Sequence, residues 1–130
     1  SYETQLGCPT TPEFRPSDFA FQYYERGTAL WREDLDRIYI LYFDNGTFSI
    51  HRDDEGPEGY FESPLVKGGF GYLWNNNQTV RDRLGQPLAI EMNPVDFAVQ
   101  DFTGGVLIYF DDNGSYHFAL FSGSGTWVED

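Results

Sequence analysis

Two histidines, twenty-one carboxylates and one thiol are the groups in this chain that could do covalent chemistry. Nucleophilic catalysis needs a histidine poised against a nucleophile. His51 and His117 each alternate with aromatic residues in apolar runs, which reads as a strand face. No G-x-S-x-G, H-E-x-x-H or P-loop pattern occurs. The GGFGY stretch lacks the flanking strand and the following acid that a dinucleotide fingerprint requires. Paired carboxylates could hydrolyse glycosides, but with twenty-one acids some pair is unavoidable. The acids that stand out are Glu13 with Glu91 and Asp18 with Asp96, because each pair recurs seventy-eight residues apart. A single active site needs its two carboxyls in different environments. Duplicated acids therefore point to a duplicated structural task, such as accepting backbone N–H groups in an irregular turn. The acidic stretches DDEGPE (53–58) and FDDNGS (110–115) do not follow a calcium-loop pattern and read as surface turns. No catalytic, cofactor-binding or metal-ligating set is expected.

The remaining candidates bind without reacting. Trp31, Trp74, Tyr72 and Tyr109 could stack on a sugar face, since a flat amphipathic ring suits a carbohydrate. The competing use of such rings is to fill a core. Three N-x-S/T sequons, at Asn45, Asn77 and Asn113, are potential glycosylation sites, and two of them coincide with Asn-Gly turns. Cys8 is the sole cysteine and reads as a buried, inert thiol. A formal net charge of −13 argues against nucleic acid and against anionic membrane surfaces as partners. No stretch reads as a signal peptide or a membrane span.

The elements that must position these residues are written twice. LGCPTTPEFRPSDFAFQ (6–22) recurs as LGQPLAIEMNPVDFAVQ (84–100), with nine of seventeen positions identical and no gap. Gly27 pairs with Gly105 and Trp31 with Tyr109; after one inserted residue, IYILYFDNGTF (38–48) aligns with HFALFSGSGTW (117–127). Self-similarity at a fixed period is a repeat signature. The units are 1–78 and an incomplete 79–130, expected together to make one domain.

Each unit predicts a short helix followed by an antiparallel meander. TVRDRLG (79–85) suggests a helix with Thr79 as N-cap, Asp82 in a capping-box position and Gly85 just past the end; SYETQLG (1–7) is its twin. Pro9 and Pro87 forbid continuation. Strands are expected at TALWRE, DRIYILYF and from DNGTFSIHR, then at GVLIYF, YHFALF and TWV, with hairpin turns at Asn45-Gly46 and Asn113-Gly114. FGYLW (70–74) reads as one more short strand, and 53–69 as a long Gly-, Pro- and acid-rich loop. The period-two argument marks Leu30, Ile38, Ile40, Tyr42, Leu107, Tyr109, Phe118 and Leu120 as core. The fold class is mostly β, with one or two short helices.

At Leu6, Gly7, Pro9, Glu13, Tyr24, Gly27 and Trp31, and again at Leu84, Gly85, Pro87, Glu91, Phe102, Gly105 and Tyr109, the chain resembles the LGFP-repeat family. The unit here is longer, through 38–68, and the second copy stops before its own GFGYLW equivalent. The resemblance implies blades of a small propeller-like β array, located outside the cell or at its surface and associated with cell-wall polysaccharide. It does not imply that the repeat is catalytic. Two classes of function follow. One is a non-catalytic structural or assembly subunit of a surface layer or filament, whose partner is another copy of itself. The other is a carbohydrate-binding module for wall or extracellular polysaccharide. Exposed tryptophans in one groove would favour binding; tryptophans packed between layers would favour assembly.

Overall fold

The computed structural model describes residues 2–52 and 68–129. The short helix α1 (Tyr2–Leu6) precedes a four-stranded antiparallel meander, β1 (Phe19–Tyr24), β2 (Gly27–Arg32), β3 (Arg37–Tyr42) and β4 (Phe48–Arg52). Helices α2 (Gly68–Asn76) and α3 (Gln78–Leu84) follow. A second four-stranded antiparallel meander closes the chain: β5 (Phe97–Phe102), β6 (Gly105–Asp111), β7 (Ser115–Phe121) and β8 (Thr126–Glu129). The mostly-β expectation holds. Among the described residues the two meanders form two four-stranded antiparallel sheets, and no propeller or barrel is formed. The expected loop at 53–69 falls almost wholly outside the described residues.

The two sheets face each other across one core. Phe19, Phe21, Leu30, Tyr39 and Leu41 of the first meet Phe97, Val99, Ile108, Phe110 and Leu120 of the second. Phe19 stacks on Phe97 at 5.4 Å between ring centroids, and Phe21 on Phe110 at 4.6 Å. Burial of these rings is the main apolar driving force.

The first sheet is buried on both faces. Its outer face (Ala20, Ala29, Ile38, Ile40) lies under Phe70 and Trp74 of α2 and Val80 and Leu84 of α3. The second sheet alternates instead. On β6, Val106, Ile108 and Phe110 are buried, whereas Leu107 and Tyr109 on the opposite face are only half-buried. The expected core positions Leu30, Ile38, Ile40, Tyr42, Phe118 and Leu120 are buried. Leu107 and Tyr109 are corrected: period two selects a face but not which face, and the inward one on β6 starts a residue earlier.

Two helix expectations are also corrected. FGYLW lies in α2, so the chain has three described helices. Its buried Phe70 and Trp74 are four residues apart, a helical spacing that aromatic strand propensity outweighs in a short window. The N-cap of α3 is Asn77, not Thr79. Asn77 is extended, and its side-chain oxygen accepts the Val80 N–H at 3.1 Å. Gly85 does terminate α3, at φ 75, and Gly7 after α1 has φ 76.

Candidate functional site

The backbone of residues 8–14 and 86–92, the leading part of the duplicated line, pairs across the copies rather than with its own meander. Each copy pairs with the other. Phe14 exchanges both backbone hydrogen bonds with Val99, at 2.9 and 2.8 Å, and Met92 does the same with Phe21, at 2.8 and 2.9 Å. Thr103 N–H donates to Cys8 O, and Glu25 N–H donates to Gln86 O, both at 2.9 Å. The Gln100 side chain donates to Thr11 O at 3.1 Å, and the Gln22 side chain donates to Ala89 O at 2.9 Å. These are the same contacts displaced by seventy-eight residues. The sheets also meet where Thr47 bridges Thr126, with Phe48 N–H on Gly125 O at 3.0 Å and Trp127 N–H on Gly46 O at 2.9 Å.

The helices follow the same exchange. Leu6 of α1 packs beside the second sheet and Leu84 of α3 beside the first. Arg26 N–H donates to Leu84 O at 2.9 Å and Gly104 N–H to Leu6 O at 2.7 Å. A methyl group at Gly27 would overlap Leu84 and the Leu41 carbonyl; one at Gly105 would overlap the Leu120 carbonyl and crowd Leu6. The repeated glycines are therefore the floor on which the other copy's leucine sits.

This exchange accounts for most of the duplicated residues. Pro9 bridges Phe102 and Pro87 bridges Tyr24. Asp18 accepts its neighbour Phe19 N–H at 2.8 Å and Asn93 from the other copy at 3.3 Å. Asp96 accepts Arg15 across the copies, also at 3.3 Å. Both glutamates, Glu13 and Glu91, are exposed. Cys8 is exposed, which corrects the buried-thiol expectation; its backbone carries the pairing, and its side chain is turned out.

The ends of the shared core carry two related polar sites. Arg32, fully buried, donates to Asp34 at 2.9 and 2.7 Å and to Asp101 of the other copy at 2.7 and 3.1 Å. Burial opposes its charge, but these carboxylates hold the guanidinium above its ordinary range. At the equivalent place Phe110 replaces Arg32, Tyr23 replaces Asp101, and the Tyr23 hydroxyl donates to Asp112 at 2.7 Å. Burial, then the Asp112 hydrogen bond and charge, raise the Tyr23 pKa.

The four aromatic candidates are not brought together. Trp74 is only 1% exposed, with its indole N–H on Gly85 O at 3.0 Å. Trp31 packs half-buried against the same cluster. Tyr72 is half-buried on α2. Tyr109 alone faces a groove, on the outer face of the second sheet. That groove has about 130 Å³ and is lined by Ala98, Leu107, Tyr109, His117 and the repeated Glu13. The Tyr109 and His117 rings lie 4.8 Å apart. Of the sequon asparagines, Asn45 and Asn113 are exposed in hairpin turns, and Asn77 caps α3.

Sequence reasoning missed one pairing. Ser49 Oγ lies 2.7 Å from His51 Nε2 and 2.9 Å from the Tyr42 hydroxyl. The signal was available, since residues two apart share a strand face. Among the described residues no carboxylate orients this histidine and no cluster of three or more metal-ligating side chains forms. Burial lowers the His51 pKa.

Compared with known proteins, the chain matches no family model, no curated protein and no solved structure. No described helix is long and apolar enough to cross a membrane.

Proposed function

We propose that the chain is a non-catalytic β-repeat module that serves structure and assembly at a cell surface, as a subunit of a layer or filament. The observation that carries this reading is the unequal covering of two equivalent sheet faces. The outer face of the first sheet is roofed by α2 and α3, with Trp74 packed between layers. Among the described residues, the equivalent face of the second sheet has Leu6 of α1 at one end and Glu13 beside the Tyr109–His117 groove. A face left open on one copy and closed on the other supports a heterologous contact, which propagates where it does not close. Within the repeated line, the second copy exposes more apolar side chains than the first. Leu88 and Ile90 are 66% and 58% exposed, at places where the first copy has Thr10 and Pro12. The LGFP-like motifs agree with an extracellular location.

Light scattering of the purified chain over its soluble concentration range, with negative-stain imaging, tests this. Association beyond one chain is expected; a monomer at every concentration would sink it. The second reading is carbohydrate binding, favoured by the Tyr109–His117 groove with Glu13 at its rim. Retention of a wall polysaccharide that is lost in Tyr109→Ala would select it.

A further inference from the structure

We infer that the outer face of the second sheet is the docking site for an α2-type helix carried by a further repeat unit. This rests on the assembly reading; because Phe70 and Trp74 of this chain's α2 are buried on its own first sheet, the helix comes from a unit whose α2 is not so engaged. The first sheet shows what the site accepts. There, Phe70, Leu73 and Trp74 of α2 lie over Ala29 and Ile40 with no space left for a water. The second sheet presents equivalent cross-strand pairs at the same offset, with His117 in the place of Ile38. Ala29 faces Ile40 across β2–β3, and Leu107 faces Ala119 across β6–β7. One small and one large aliphatic side chain occupy each pair, so the layer keeps its thickness although the sizes are swapped. The next row is Trp31 against Ile38 in the first sheet and Tyr109 against His117 in the second, again an aromatic beside a smaller group. Half of the roof is already in place, because α1 sits on Gly105 as α3 sits on Gly27. Over the first sheet α2 runs directly into α3, so the open groove is continuous with an interface that exists. The occupant is therefore a helix with apolar residues at the spacing of Phe70, Leu73 and Trp74, entering beside α1.

The test supplies that helix at high effective concentration. Residues 68–78 are fused ahead of Ser1, which reproduces the order found before Thr79. Hydrogen exchange is then followed on β6 and β7. The expected result is at least about tenfold slower exchange around Leu107, Tyr109 and Ala119, with a raised Tm. The gain should vanish when the fused copies of Phe70 and Trp74 are serine, and when His117→Glu places a charge in the groove of the fused chain. His117 is exposed, so this substitution leaves the core intact. Unchanged exchange in the fused chain overturns the inference, as does protection that survives either control. Protection of the same strands by a cello-oligosaccharide but not by the helix also overturns it. Light scattering of the unfused chain judges the assembly reading separately, so either idea can fail alone.

Discussion

Replacing Arg32 by Phe and Asp101 by Tyr would copy the second polar site onto the first. Phe110, Tyr23 and Asp112 already form that arrangement one repeat away, and Asp34 stands where Asp112 stands. Arg32→Phe alone removes the cation between Asp34 and Asp101, whose side chains retain 26% exposure. Breaking a buried pair costs about 3–5 kcal/mol, and this residual exposure places the loss near the low end, at about 3 kcal/mol. Asp101→Tyr alone leaves Arg32 with Asp34 as its carboxylate, for a loss of about 2 kcal/mol. Additive losses would total about 5 kcal/mol. The double variant should lose only about 2 kcal/mol, because the phenol introduced by Asp101→Tyr can donate to Asp34 as Tyr23 donates to Asp112. The coupling is then about 3 kcal/mol. Urea unfolding of the four chains by circular dichroism measures it. Losses that add to within about 0.5 kcal/mol would refute the equivalence of the two sites.

Trp74→Ala should cost about 3–5 kcal/mol in the same assay, since it empties the layer between α2 and the first sheet. Gly27→Ala and Gly105→Ala should each cost about 2–3 kcal/mol by overlap with the carbonyls beneath them, whereas Gly123→Ala, in open space, should be near neutral. Burial lowers the His51 pKa from 6.5, so the unfolded chain binds the proton more readily. Stability should therefore fall as pH drops below about 6.5, and the pH profile of His51→Gln should lack that component. Burial raises the pKa of Tyr23, Tyr24 and Tyr39 above 10.0, so their protonated forms stabilise the fold. That contribution is complete below about pH 10 and lost above it, and phenolate absorbance should appear together with unfolding rather than before it.

The meanders are legible because period-two runs and Asn-Gly turns are local signals. Gly7 and Gly85 likewise mark helix ends through backbone geometry that few other residues adopt. What stays hidden is partnership. The line 6–22 launches its own meander in sequence, but the backbone hydrogen bonds of residues 8–14 go to residues 99–103. Periodicity carries no information about which copy supplies the partner. For the same reason period two assigns Leu107 and Tyr109 to the core: their equivalents on the first sheet are covered by α2, and they are not. Trp74 illustrates the opposite error. Its lack of a repeat partner suggests freedom, whereas it roofs a sheet and donates to Gly85. Duplication singles out Asp18 and Asp96 in the sequence; Asp18 accepts the Phe19 N–H, whereas Asp96 meets Arg15 in an exposed pair.

If the second sheet's outer face is an assembly contact, light scattering of the chain beside its His117→Glu variant shows it. The native chain should exceed its 15.0 kDa monomer mass as concentration rises, and the variant should stay at that mass. Equal masses for the two proteins at every concentration would contradict it.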